Sequence, residues 1–295
     1  MHDDEVPIDE HIVRALIDEQ FPSWRGLPVT RLATGGTVNA IFRIGDDLAA
    51  RFPLRGMPVT DARSWLVSEA AAQSEFAQVS GLPTPIPVTI GSPGLGYPMP
   101  FAVQTWVSGR VPGVGEFADS DALADDVAAL ISRLRAAPTR GRTFLGSGRG
   151  GDLASHEGWV QECITKNAPW FDPAATSALW ARLRGLPREN AHVMTHGDLI
   201  PGNVLVEHGR LVGVLDAGGF APADPALELV AAWHLLDAPR RVRLRATLGC
   251  GDIEWQRGRA WAFVQAMGLV HYYADTNPGM HALGLRTLQE ILAAN

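Results

Sequence analysis

The sequence predicts an α+β chain in two parts, a small antiparallel-sheet lobe over residues 1–106 and a larger, mainly helical lobe over 107–295. Three observations carry this. Residues 29–53 hold short apolar runs separated by glycine-containing turns, the signature of hairpin strands. Residues 62–81 are alanine-rich and close on Gly81, the pattern of a helix with a glycine stop. Beyond "VSGRVPG" at 107–113 the chain reads mostly as helix, broken by one strand hairpin near residue 210.

In chain order, "IDEHIVRALIDEQ" (8–20) places Ile8, Ile12, Leu16 and Ile17 on one helical stripe. "VTRLATGGTVNAIFRIGDDLAARFP" (29–53) reads as strands turned at "TGG" and at "GDD". After the 62–81 helix, "LPTPIPV" is an extended proline segment, and strands around 88–90 and 101–107 flank the turn-rich "GSPGLGYP". "TRGRTFLGSGRGGDL" (139–153), crowded with glycine and arginine, is the most loop-like stretch, and "AHVMTH" (191–196) reads as a strand running into a loop.

Composition excludes several classes of function. The net charge of −7 argues against a general nucleic-acid binder, which carries a basic surface. No run of 18 apolar residues is present to span a membrane. The start, "MHDDEVPIDE", is acidic, so no secretory signal is expected and a reducing cytoplasm fits best. Cys163 and Cys250 lie far apart without a CxxC pattern, and "HEGWV" (156–160) lacks the second histidine of HExxH, so no zinc site is expected. Lys166 is the only lysine among 25 basic residues, which leaves almost every cationic role to arginine.

The stretch "THGDLIPGNVLVEHGRLVGVLDAGG" (195–219) sets polar residues around two apolar runs. With His208-Gly209 as a two-residue turn, Glu207 pairs with Arg210 and Asn203 with Val214. Asp216 then lies two residues past that partner, on the same face as Asn203. Oxygen ligands in small number suit Mg²⁺, which shares itself with phosphates. Asp198 stands five residues before Asn203, placed to accept the proton of a hydroxyl that attacks a phosphate. Base Asp198, metal ligands Asn203 and Asp216, and a hairpin between them form the arrangement of a kinase. A bland reading, in which these residues only cap turns, serves each of them singly but not the set.

His196-Gly197-Asp198 through Asn203, followed by Gly213-Val214-Leu215-Asp216 and Asp224-Pro225-Ala226, resembles the aminoglycoside/macrolide phosphotransferase family. The resemblance covers nearly the whole chain and implies small-molecule kinases of protein-kinase-like bilobal fold. "GGTVNAIFRI" resembles the family's nucleotide loop, which assigns Gly35, Gly36, Thr37 and Asn39 to the phosphates. Glu69 and "GLPTPIP" resemble its helix and proline turn, and "FAVQTWVSG" its hinge, with Gln104 and Trp106 as nucleotide contacts. Two positions depart from the pattern: Ala217 follows the metal aspartate where Phe or Trp is usual, and Arg51 stands in place of the third-strand lysine. Arg51 is expected to contact phosphates and to pair with Glu69. Asp224 reads equally as a helix N-cap or as a contact to the catalytic loop.

The expected activity is Mg²⁺-dependent transfer of the γ-phosphate of ATP or GTP to a hydroxyl of an antibiotic-like small molecule. An aminoglycoside is the first expectation, and a macrolide or another small metabolite the alternative. A polycationic acceptor wants an acidic pocket, yet residues 217–295 carry seven acidic residues against seven arginines. The second class of function is a kinase-like protein that holds a nucleotide without turnover, motivated by Arg51 and Ala217.

Overall fold

The computed structural model describes residues 6–32, 39–146 and 148–294. The chain divides into two compact units. The first comprises Met1–Gln78, Pro83–Ser108 and a short return, Asp216–Gly219. The second comprises Val79–Leu82, Gly109–Leu215 and Phe220–Asn295. Among the described residues no helix is long and apolar enough to cross a membrane.

The first unit opens with α1 (Glu10–Gln20), started by Asp9, whose Oδ1 accepts the Ile12 N–H at 2.9 Å. The stripe read from the sequence buries Ile8, Leu16 and Ile17, while Val13 takes the place expected for Ile12, which is only partly buried. Strands β1 (Val29–Arg31), β2 (Asn39–Ile44), β3 (Leu48–Pro53), β4 (Pro87–Gly91) and β5 (Phe101–Thr105) form one sheet in the order β1-β2-β3-β5-β4. Every neighbouring pair is antiparallel. Helix α2 (Val59–Ser80) lies between β3 and β4 in the chain and stops just ahead of Gly81. Side chains alternate across a strand, and β3 uses both faces. Phe52 stacks on Phe101 at 4.4 Å inside the core that also holds Leu16 and Ile17. Arg51, one residue earlier, turns the other way toward Glu69 of α2.

The second unit is mainly helical: α3 (Asp121–Ala136), α4 (Glu157–Lys166), α5 (Pro173–Leu183), α6 (Val230–Leu235), α7 (Ala238–Leu248), α8 (Asp252–Tyr272) and α9 (Pro278–Ala293). Helix α8 is its axis, packed against α4, α5, α6 and α9. It is buried nearly all round, including Trp261, Phe263, Val264 and Met267, as a central core helix must be. Two small antiparallel pairs interrupt the helices: β6 (Val193–Thr195) with β9 (Ala221–Ala223), and β7 (Val204–Glu207) with β8 (Arg210–Val214). Among the described residues the architecture is α+β, an antiparallel five-stranded sheet with two α-helices in one unit and a mainly helical second unit.

Candidate active site

The β7–β8 hairpin turns at His208 and Gly209, with φ +50° and +73°. Two consecutive positive φ values make the turn type that suits the strand twist. Its register departs from the one counted along the sequence. Glu207 pairs with Arg210 and Val206 with Leu211, but Leu205 then faces Gly213 and Val204 faces Val214. One extra residue on β8, a bulge, shifts everything beyond it by one. Asn203 therefore lies opposite Leu215, whose N–H it receives at 2.8 Å, and not opposite Val214 as expected. The simple pleat no longer sets Asp216 on the face of Asn203. Instead Asp216 leaves the strand at φ +57°. For a residue other than glycine that conformation costs roughly 1 kcal/mol or more and is concentrated at functional sites.

Strand β6 delivers the loop that carries Asp198. The Asp198 N–H donates to His196 Nδ1 at 3.3 Å, so the proton of that ring sits on Nε2, which donates to Leu215 O at 2.8 Å. Gly197, at φ +79°, donates its N–H to Glu228 Oε1 at 2.7 Å. Glu228 is fully buried, and burial pushes its carboxyl up against the opposing pull of His196 and the Gly197 N–H. The loop is thus tied at the two residues just ahead of the aspartate.

The Asp198 carboxylate is held by three side chains. Oδ1 accepts from Arg149 Nη2 at 2.8 Å and from Gln265 Nε2 at 2.6 Å; Oδ2 accepts from Asn203 Nδ2 at 2.8 Å. Burial alone would push this carboxyl up, but the charge and hydrogen bond of Arg149 hold it below its ordinary value. Two donors fill Oδ1, and Oδ2 keeps one acceptor direction for a hydroxyl. Gln265 is itself oriented. Its Oε1 faces His234 Nε2 at 3.2 Å, and His234 Nδ1 faces Thr287 Oγ1 at 2.9 Å. Burial drives the His234 ring down to about 4, so the imidazole is neutral, with Nε2 donating and Nδ1 accepting. A buried chain therefore runs Thr287–His234–Gln265–Asp198.

Asn203 also donates Nδ2 to the Asp198 backbone oxygen at 2.9 Å. Both bonds pull its nitrogen toward Asp198 and turn its oxygen away, as a cation ligand needs. Among the described residues no cluster of three or more His, Cys, Asp or Glu is placed to hold a metal. An ion held here would rely on few protein oxygens, as Mg²⁺ does.

In the first unit, Arg51 Nη2 donates to Asp216 Oδ1 at 2.9 Å, and Arg51 Nη1 lies 3.9 Å from Glu69 Oε2. Arg51 is buried, whereas the Asp216 side chain is half exposed. Glu69 is pushed up by burial, drawn down by Arg51 and pushed up again by Asp216. Arg51 and Glu69 edge a cavity of about 300 Å³ together with Arg63, Gln73 and Gln104. The Gln104 side chain is buried against Gln73 at 3.2 Å. Trp106 donates its backbone N–H to Asp47 O at 2.7 Å, and its ring lies under the Arg43 guanidinium. Asn39 is buried at the start of β2, opposite Pro53. Gly35, Gly36 and Thr37 lie outside the described residues.

Residues 29–261 match the phosphotransferase enzyme family. The chain belongs to that family. This phosphotransferase is similar in structure to the GDP complex of wild-type aminoglycoside 2'-phosphotransferase-IIIa, at 20% identity and TM-score 0.73, over 97% of this chain and 99% of that one. It is also similar to the apoenzyme of macrolide 2'-phosphotransferase MphH from Brachybacterium faecium, at 17% identity and TM-score 0.59, over 96% and 98% of the two chains. Among curated proteins none matches. The family read from the sequence and the bilobal, protein-kinase-like fold that it implied therefore stand.

Sequence reasoning overlooked Arg149, Gln265 and His234. Asp224, open between two roles, is an N-cap, its Oδ1 receiving the Ala226 N–H at 3.0 Å. Its Oδ2 receives Arg257 Nε and Trp261 Nε1, each at 2.9 Å, in a fully buried ion pair. Lys166 sits on α4 in an exposed pair with Glu162.

Proposed function

We propose that this phosphotransferase moves the γ-phosphate of ATP or GTP to a hydroxyl of a small, antibiotic-like molecule in the cytoplasm. The observation that carries the reading is the Asp198 carboxylate, clamped by Arg149, Gln265 and Asn203 with one acceptor direction left on Oδ2. Asp198 orients the acceptor hydroxyl through that oxygen and takes its proton as the oxygen–phosphorus bond forms and the bond from the γ-phosphorus to the bridging oxygen breaks, releasing ADP or GDP. A carboxylate held below its ordinary value is a weak base, so its larger part is orientation, which suits a loose phosphoryl transition state.

The Asn203 oxygen and the Asp216 carboxylate would hold Mg²⁺, which when bound offsets charge on the nucleotide phosphates. Arg51 and Asn39 contact phosphate oxygens, as do Gly35, Gly36 and Thr37 on the family resemblance; Glu69 keeps Arg51 in place, and Gln104 and Trp106 border the nucleotide base. In support, similar structures contain GDP, ADP or ATP. Kanamycin, gentamicin and streptomycin occur in others, and two are macrolide phosphotransferases.

The test is radiolabelled phosphate transfer from ATP and from GTP, with Mg²⁺, to a panel of hydroxylated antibiotics and metabolites. Asp198→Asn should lower turnover by about 10²–10⁴-fold, the usual worth of a positioned base, and leave nucleotide binding unchanged. Activity above a tenth of wild type in that variant removes Asp198 from the role.

A further inference from the structure

One of the three side chains that hold the proposed base is a cation, and it is built in. Arg149 Nη2 touches Asp198 Oδ1, and the two side chains are 30% and 34% exposed. The backbone beside it is fastened: Gly150 O accepts the Asp224 N–H at 2.9 Å. Gly150 has φ +102°, and a Cβ there would lie 2.7 Å from the Ala223 Cβ and 3.0 Å from Leu227 Cδ2. Only glycine fits so close an approach. Asp224 is locked in turn by Arg257 and Trp261. The guanidinium is thus delivered by a supported backbone.

Among the described residues no second acid is paired with Arg149. The remaining groups bonded to the Asp198 carboxylate are the uncharged amides of Gln265 and Asn203, and His234 behind Gln265 is neutral. Asp198 and Arg149 together carry no net charge. Of the five N–H donors of the Arg149 fork, only one is bonded among the described residues. The others, on a half-exposed planar group, suit a hydroxyl, carbonyl or oxyanion and repel an ammonium.

The geometry points to Arg149 as an acceptor-selecting residue: on the reading of Asp198 as base, the site takes hydroxyl compounds that are neutral or acidic beside the reacting oxygen, and rejects polyamines. An aminoglycoside presents ammonium groups on carbons close to its hydroxyls, within a few ångströms of a guanidinium fixed at the base. A neutral polyol or hydroxy acid meets no such repulsion and gains a donor.

The experiment compares the whole protein with Arg149→Gln and Arg149→Glu. Calorimetric titration with kanamycin should show Arg149→Glu binding at least tenfold tighter than wild type, with Arg149→Gln between them. In transfer assays with kanamycin, chloramphenicol (a neutral diol) and gluconate as acceptors, the wild type should favour the uncharged or acidic acceptors. The kanamycin-to-neutral ratio of kcat/KM should rise at least tenfold in Arg149→Glu; using a ratio within each variant cancels any general damage to the base. Kanamycin binding that differs less than threefold across the three proteins, including absence from all of them, overturns the proposal. Failure of every acceptor to receive phosphate would sink the transferase reading instead, and the binding series would still decide the part of Arg149.

Discussion

Gln265 offers the sharpest test of how Asp198, the proposed base, is held, because its two hydrogen bonds face different partners. Gln265→Leu keeps the volume within the buried run of α8 but removes the 2.6 Å bond to Asp198 and the 3.2 Å bond to His234. A hydrogen bond to an ionised carboxylate is worth about 1.5–3 kcal/mol, and a buried N–H left alone, here His234 Nε2, costs about 1–3 kcal/mol. The substitution should therefore lower unfolding free energy by about 2–5 kcal/mol, allowing for partial relaxation. Asp198 would still be held by Arg149 and Asn203, but with freedom to swing. A misplacement of that kind should cost roughly 10–100-fold in turnover. Urea unfolding at neutral pH gives the first quantity; transfer assays well below the unfolding temperature give the second. Gln265→Glu adds a discriminating arm. Two carboxylates so close cannot both ionise, so the pair would titrate jointly and the acidic limb of the pH–rate curve would move upward. Unfolding free energy within 0.5 kcal/mol of wild type (roughly the error of such comparisons), together with turnover within about twofold, well short of the roughly tenfold minimum reasoned above, would refute the chain from Thr287 to Asp198.

Asp216→Ala should abolish Mg²⁺-dependent nucleotide binding and Asn203→Ala should weaken it; wild-type titrations with Mg²⁺ and nucleotide in both would dissolve the pairing. Arg51→Ala should weaken nucleotide affinity and Arg51→Lys should restore part of it, whereas Lys166→Ala, which breaks an exposed pair with Glu162, should change nothing; the reverse ranking puts the nucleotide elsewhere. His234 sets a pH dependence of stability. Burial lowers it from 6.5 to about 4, so the unfolded chain takes up the proton first. Its contribution is present above about pH 6.5 and lost as pH falls toward 4, up to about 3 kcal/mol. His234→Gln should flatten the loss between pH 7 and 4.5 in urea unfolding, and an unchanged slope refutes it.

Much of this was legible in the sequence, and the remainder has a physical reason. The strands of 29–53, the helix ending before Gly81 and the His208-Gly209 turn follow from local chemistry, because glycine placement and side-chain periodicity act within a few residues. The bulge in β8 leaves no such trace: Leu211-Val212-Gly213-Val214 reads as a continuous strand whether or not one residue is looped out. Arg149 and Gln265 reach Asp198 from 49 residues before it and 67 after, so only the tertiary fold unites them. Their signals were nonetheless present. Gln265 is the one amide within "WAFVQAMGLV" (261–270), a segment too apolar to carry a buried polar group without a partner. His234 stands the same way in "LVAAWHLL" (229–236). The paired glycines after Arg149 marked a place where backbone must come close to something.

The arginine on β3 also decides how this protein can be seen by chemistry. Reagents that report on kinases commonly deliver an acyl group from a nucleotide phosphate to a nearby amine, which the third-strand lysine supplies. Arg51 has no nucleophilic amine to offer at neutral pH, its guanidinium being charged throughout. Apart from the chain's own amino end, the amine available is Lys166, on an exposed helix of the other unit and paired with Glu162. In a cell extract surveyed by amine acylation, this kinase would leave no mark at its nucleotide, however active it is.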